Sequence, residues 1–162
     1  MNGGIVLAVQ VASAAGAPMV SVDKVLAVPG RGLRGDRYFA QTRGNRAAAV
    51  TLIEWEALEA LHNDYGADLA VSATRRNILT RGVSLNPLIG HSFQIGDVHL
   101  YGTGLCQPCR HIARSEPRIL RGLVGRGGLR AEIVTEGEIK VGDSVTKRSD
   151  SVAQQLQPAV NS

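Results

Sequence analysis

Apolar residues open this chain in two short runs, "GIVLAVQV" (4–11) and "PMVSVDKVLAV" (18–28), both β-branched and bounded by Gly or Pro, which predicts strands. The next segment, "PGRGLRGDRYFAQTRGNR" (29–46), is rich in Gly and Arg and has no hydrophobic period. It predicts a long loop, and a loop of that length inside a compact domain is usually functional or disordered. "AAAVTLI" (47–53) predicts a strand. "EWEALEALHNDYG" (54–66) predicts a helix, because Trp55, Leu58 and Leu61 keep helical spacing and Gly66 supplies a stop.

Farther along, "RRNILT" (75–80) predicts a strand, "RGVSLNPLIG" (81–90) a turn-rich link, and "HSFQIGDVHLYG" (91–102) a strand pair bent around Gly96-Asp97. The same cadence, an apolar residue, Gly-Asp and then a β-branched residue, returns in "EGEIKVGDSVTK" (136–147). Both read as turns of an antiparallel barrel or sandwich, since a true repeat would have a longer period. "QPCRHIARSEPRILRGL" (107–123) predicts a short helix from about Pro108 to Ser115 and a short turn after Pro117. "GGLRAEIV" and "GEIKVGDSVTK" close the domain as strands, and "SDSVAQQLQPAVNS" (149–162), without period, predicts a disordered tail. The pattern predicts one domain over 1–148 in the β-rich α+β class, most simply a barrel or closed sandwich.

A chain of 162 residues buries a core without help from disulfides or metal, so stability does not account for its two cysteines. The N-terminal "MNGGIVLAVQVASAAGAPMV" lacks a basic start, and Gln10, Ser13 and several glycines break its apolar run. It makes a poor signal peptide or membrane span, so the expectation is a cytoplasmic protein with reduced thiols and no membrane partner. The formal charge is +4, and with three lysines among 18 basic residues the other 15 are arginine. Arginine's planar fork suits bidentate capture of phosphate or carboxylate. A scattered excess would reflect only codon usage, so position along the chain decides its meaning.

The cysteines stand three apart in "GTGLCQPCRHI" (102–112). Four chemistries fit a pair: half of a zinc site, a redox couple, a reactive or metal-ligating thiolate with an auxiliary, or two packed small residues. Structural zinc needs four ligands, and His62, His91, His99 and His111 show no paired spacing. A thioredoxin-like couple fits the local motif, but no alternating strand and helix pattern follows it. Pro108 suits the first position of a helix, which would put Cys109 in the first turn, where the backbone favours thiolate; Arg110 and His111 add positive potential. Cys109 is then the working thiolate and Cys106 the auxiliary. Simple packing of both cysteines stays open on spacing alone.

"TRRNILTRG" sets Arg75, Arg76, Asn77 and Arg81 within seven residues. In a strand, Arg75 and Asn77 share one face and Arg76 takes the other, so a guanidinium beside an amide would grip an anion and a heterocycle edge, unless this is merely a solvated strand end. "GRGGLRA" adds Arg126 and Arg130 around a Gly-Gly that permits close backbone approach, and "RGLRGDRYF" places Asp36 between Arg34 and Arg37 as an internal partner. No Walker loop, dinucleotide fingerprint or serine elbow is present. With only two Phe, three Tyr and one Trp, the chain lacks the stacking aromatics of a nucleic-acid binder.

In order, "GLRGDRY", "AVTLIEWEALEAL", "RRNILTRGVSLNPLIGHSFQIGDVHLYGT", "CQPC" and "GGLRAEIVTEGEIKVGD" resemble the MOSC domain, named for the C-terminal part of molybdenum cofactor sulfurase, over roughly residues 5–147. The resemblance implies a closed β-barrel similar to the barrel domain of pyruvate kinase and a role with molybdenum cofactor (molybdopterin). It implies Cys109 as the residue that ligates molybdenum or carries sulfur, Arg75 and Asn77 as contacts to the pterin or its phosphate, and Arg37, with Asp36 beside it, and Arg130 as further cofactor contacts. The larger relatives have a pyridoxal-phosphate desulfurase domain. Lys24, Lys140 and Lys147 match no Schiff-base context, so pyridoxal phosphate is not expected in this chain. Expected partners are a cysteine desulfurase or an electron-transfer protein, together with a small-molecule substrate. Alternatives are a molybdenum-dependent reductase of N-hydroxylated compounds with an external donor, and a noncatalytic binding module.

Overall fold

The computed structural model describes residues 3–39, 49–107 and 116–148. Among these, the strands are β1 (Gly4–Val11), β2 (Val20–Val22), β3 (Lys24–Val28), β4 (Gly32–Leu33), β5 (Val50–Glu54), β6 (Ile78–Arg81), β7 (Ser92–Ile95), β8 (Val98–Leu105), β9 (Leu129–Ile133), β10 (Gly137–Lys140) and β11 (Ser144–Lys147). The helices are α1 (Trp55–Tyr65), α2 (Val71–Thr74) and α3 (Pro117–Leu123), with a 3-10 turn at Asn86–Leu88.

Seven strands close into a barrel in the order β11-β7-β8-β9-β5-β6-β1, sealed by the antiparallel β1–β11 pairing, and β2 extends β1 at its edge. A three-stranded sheet, β10-β3-β4, lies beside it. Only β5 and β6 run parallel among these pairs, and α1 and α2 occupy the connection between them, as a parallel pair requires. Closure removes the exposed sheet edges that would otherwise template aggregation.

Alternation explains which residues fill the barrel. On β9, Leu129, Ala131 and Ile133 are buried while Arg130 is exposed, so the odd positions face inward. They join Val6, Val50, Leu52, Ile78, Phe93, Ile95, Val98 and Leu100 in one apolar core. β5 is buried on both faces, because Ile53 packs outward under Leu58 of α1. Outside the barrel, Ala57 and Leu61 of α1 meet Ile119 and Leu123 of α3. Gly122 lets the helices approach closely there, since a Cβ would lie 2.4 Å from a Leu61 methyl and force it to move.

The predicted fold class holds, and so do most element assignments. Gly66 ends α1 in the left-handed conformation, with φ +62°, and the Gly96-Asp97 turn joins β7 to β8 as expected. Several assignments change: the run 18–28 splits into β2 and β3, which belong to different sheets, and β4 lies within the stretch expected to be loop. The stretch after Pro117 is a helix and not a mere turn: Pro117 sits in its first turn, and the Glu116 carboxylate accepts the Arg118 amide at its start. Arg75 and Arg76 are not strand residues; α2 ends at Thr74 with Arg75 as its cap, and β6 begins only at Ile78. The helix expected over Pro108–Ser115, and the tail over 149–162, lie outside the described residues.

Behind β11, Arg148 Nη1 donates to Gln94 Oε1 (2.5 Å) and to His99 Nδ1 (2.9 Å). Because arginine only donates, Nδ1 must be unprotonated. Burial, then the Arg148 charge, lower the His99 pKa, with Asp97 opposing weakly. The unfolded chain therefore binds this proton more readily, so folding stability from His99 is complete above its ordinary value of about 6.5 and is lost as pH falls through that value toward the lowered one. Urea midpoints at pH 7.5 and pH 5 should differ more in the wild type than in His99→Gln. An equal difference in both proteins would show that His99 carries none of it.

Candidate functional site

The tripeptide Arg75-Arg76-Asn77 sends three adjacent side chains to three different places. The cause is Arg75 itself, the only non-glycine residue with positive φ (+57°) among those described. Thr74 Oγ1 steadies this corner, donating to the Val71 carbonyl (2.6 Å) and accepting the Arg76 amide (3.2 Å). A left-handed non-glycine residue costs roughly 1–2 kcal/mol, so the contacts it permits must offset that.

Asn77 turns into the wall. Its Oδ1 accepts both the amide (3.1 Å) and the hydroxyl (3.2 Å) of Thr51, and its Nδ2 donates to the Gln10 carbonyl (3.2 Å). Gln10 is itself buried, and its Nε2 donates to the carbonyls of Val71 and Arg76 (2.8 Å each). The amide of Asn77 thus stitches β1 to β5 just ahead of β6, and its polar groups are all engaged inside the protein.

Arg75 reaches the opposite way, donating to the Ala17 carbonyl (2.9 Å). Arg37 arrives from the other side and donates to the Arg75 carbonyl (3.2 Å) and to Asp36 Oδ1 (3.0 Å). The Arg37 guanidinium also lies over the Tyr38 ring, 4.4 Å from its centroid. Only 7% of the Arg37 side chain and none of the Asp36 side chain is exposed. Asp36 is the internal partner its spacing predicts, and it also accepts the Ala12 amide (3.0 Å). Its second oxygen, Oδ2, is buried with no partner.

Arg76 instead reaches the cysteine segment. Its Nε donates to the Gly127 carbonyl and its Nη2 to the Gln107 carbonyl, both at 2.8 Å. The Cys106 amide donates to the Gly128 carbonyl (2.8 Å). One guanidinium and one backbone bond therefore clamp the end of β8 to the Gly-Gly turn before β9. Gly128 has no room for a side chain, because a Cβ there would meet the Leu52 carbonyl oxygen at 2.1 Å. Arg130 completes this group. It is the register partner of Thr51 and points outward with it, and its guanidinium lies across Gly104, where a Cβ would come within 2.7 Å of Nη2.

Among the described residues, then, the structure gathers Arg76, Arg130 and Cys106 on one side of the tripeptide and Asp36, Arg37 and Arg75 on the other. Arg130 makes no ion pair with any described residue, whereas Arg37 and Asn77 are committed to internal partners. Arg76 is the member that spacing did not single out. The strand reading pointed it away from Arg75 and Asn77, and only the Arg75 corner brings it to the cysteine. Cys109 lies outside the described residues. No cluster of three or more His, Cys, Asp or Glu placed to hold a metal ion occurs among those described, so the donors present near Cys106 are cations suited to an anion.

Cys106 is buried, and burial pushes its thiol pKa up while the Arg76 and Arg130 charges pull it partly back. At neutral pH it stays protonated and unreactive. A cavity of about 270 Å³ is bounded by Glu54, Ser84, Asn86, Pro87, Arg126 and Gly128. A larger depression of about 560 Å³ runs along α1 past Trp55, Leu58, His62 and Asp68 and includes neither the cysteine nor these arginines.

A closed seven-stranded barrel with outlying short helices and a cysteine turn braced by arginines defines the architectural class. The family model for the MOSC domain matches residues 40–146, and the chain belongs to that family. The fold is that of the YuaD protein from Bacillus subtilis (16% identity, 88% of this chain and 94% of that one covered, TM-score 0.72). It is shared with YiiM from Geobacillus stearothermophilus (15% identity, 92% and 77% covered, TM-score 0.69) and YiiM from Escherichia coli (14%, 90% and 70%, TM-score 0.65). No curated protein matches significantly. No helix among the described residues is long and apolar enough to cross a membrane.

Cysteine reactivity checks the local electrostatics. In Cys109→Ser, iodoacetamide at pH 7.5 should modify native Cys106 at least about tenfold more slowly than it does in urea, with the native rate climbing as pH rises past the ordinary thiol value. Equal rates in the native and unfolded protein would contradict a buried, protonated thiol.

Proposed function

We propose that this chain binds molybdenum cofactor, with Cys109 as the metal ligand or sulfur carrier and the arginines around Cys106 as contacts for the cofactor's anionic group. Membership of the MOSC family supports the cofactor, since binding it is the property commonly associated with that family. The observation that carries the reading is Arg130: an exposed guanidinium with no ion-pair partner among the described residues, held on the outer wall beside Arg76 and the cysteine turn. An unpaired arginine fork suits a phosphate. The donor set near the cysteine, two guanidiniums with no metal-holding cluster of His, Cys, Asp or Glu among the described residues, fits an anionic organic cofactor better than a bare cation caged by protein.

The roles divide along the chain. Arg130 would take the anion directly. Arg76 holds the Gln107 carbonyl, two residues before Cys109, and so sets where the chain enters the segment that carries the thiol. Arg75 and Asn77 act by positioning: Asn77 anchors the tripeptide, and the Arg75 corner aims Arg76. Arg37 and Asp36 brace that corner from behind. When bound, the cofactor would supply a redox-active, thiophilic metal, for which a thiolate is the matching soft ligand. A cysteine desulfurase or an electron-transfer protein is the partner class this chemistry would call on, according to whether sulfur or electrons are delivered.

Native mass spectrometry of the protein purified anaerobically from a host that makes molybdenum cofactor tests the proposal. The wild type should carry an added mass matching a molybdenum pterin, or a single sulfur. Arg130→Met should lose most of the pterin mass, and Cys109→Ser should lose the sulfur or the metal. Bare polypeptide in all three samples, or equal loading of all three, would overturn it.

A further inference from the structure

The cavity beside Gly128 brings together groups that the preceding reading leaves unused. On one wall, Glu54 ends β5, and its Oε2 accepts the Leu85 amide (2.9 Å). On another, Asn86 Nδ2 donates to the Gly125 carbonyl (2.9 Å), which fixes the side-chain amide with its oxygen as the remaining acceptor. Arg126, exposed, also lines the cavity, with Ser84, Pro87 and Gly128. Neither Glu54 nor Arg126 forms an ion pair with a described residue. Two opposite charges that share one cavity without meeting each other leave room for a molecule that meets both.

The walls are firmly built. The 82–91 link is pinned to β8 where Gly90 N–H donates to the Gly102 carbonyl (2.8 Å) and Gly102 N–H to the His91 carbonyl (3.0 Å). Gly102 permits this approach, because a Cβ would lie 2.2 Å from the Leu88 carbonyl oxygen. Gly128, also in the lining, is fixed against Leu52 and carries the carbonyl that holds the Cys106 amide. At about 30 Å³ per water, 270 Å³ amounts to about nine waters, the size of a small metabolite and too small for a pterin with its phosphate.

We propose that this cavity is a binding site for a small zwitterion, a molecule with an ammonium group at one end and a carboxylate at the other. The free oxygen of Glu54 and the amide oxygen of Asn86 supply acceptors for an ammonium, which has donors only. Arg126 supplies the fork for the carboxylate. Pro87 offers apolar surface to the carbon chain between them. The site is separate from the Arg76–Arg130 group and does not depend on whether a metal cofactor binds there.

Amide chemical shifts of the full chain, followed by NMR during titration with glycine, 4-aminobutyrate and 6-aminohexanoate, test it. One of the three should shift Leu85 and Gly125–Gly128 saturably. Butylamine and butyrate, which keep one charge each, should bind at least about tenfold more weakly. Glu54→Gln, which keeps an acceptor for the Leu85 amide, and Arg126→Met, at an exposed position, should each weaken binding by a similar factor while leaving the rest of the spectrum in place. The proposal is overturned if no zwitterion shifts these amides, if the singly charged controls bind equally well, or if both variants bind as the wild type does. Loss of pterin loading in Arg130→Met with zwitterion binding intact would separate this site from the cofactor site.

Discussion

Everything near the cysteine turn depends on one buried amide. Asn77, 1% exposed, forms three hydrogen bonds that join β5 to β1, and each contributes about 0.5–1.5 kcal/mol net. The asymmetry matters more than the sum, because the Thr51 amide and the Gln10 carbonyl have no water to turn to if Asn77 is lost. That anchor is what allows Arg75 to hold a left-handed backbone. The corner at Arg75 then decides that Arg76 faces the cysteine turn and Arg75 faces the β1–β2 connection.

The same corner sorts the arginines by electrostatic role. Arg37 is neutralised by Asp36 in a site with almost no exposure, where the pair costs desolvation and the hydrogen bonds around it recover stability. Its work is to hold the Arg75 carbonyl in place. Arg130 and Arg126 stay at the surface without ion-pair partners among the described residues, one on each side of the Gly127-Gly128 turn. Arginines that look alike in the sequence thus separate into braces and open forks, and only the open forks can take a ligand's charge directly.

Much of the barrel was legible because period 2 survives wherever one face of a strand meets the core, as in β9, and because Gly66 and Gly96 mark real left-handed turns. The α3 helix was also legible in principle: Pro117 at its start and the Ile119 and Leu123 spacing are standard signals, masked by the neighbouring Gly and Arg. The tripeptide was not legible. Four-residue α2 has no hydrophobic period to announce it, and the polar Arg75 and Arg76 read naturally as the lead-in to the apolar run of β6. The positive φ at Arg75 is held not only by the local bonds of Thr74 but by long-range bonds from Gln10 and Arg37, which no local pattern encodes. The sequence therefore named Arg37, Arg75, Asn77 and Arg130 without showing which are tied to internal partners and which stand open, and the reach of Arg76 to the cysteine turn emerged only in three dimensions.

The central claim is that Arg76, aimed by this corner, holds the cysteine turn against the Gly-Gly turn. Amide hydrogen exchange at Cys106, whose N–H donates to the Gly128 carbonyl, reads that clamp directly when wild type and Arg76→Met are compared. The account predicts exchange at Cys106 faster by about tenfold or more in the variant, equivalent to about 1.4 kcal/mol of local stability, with the β8 and β9 amides around Leu100 and Ala131 unchanged. Equal protection of Cys106 in both proteins would contradict it.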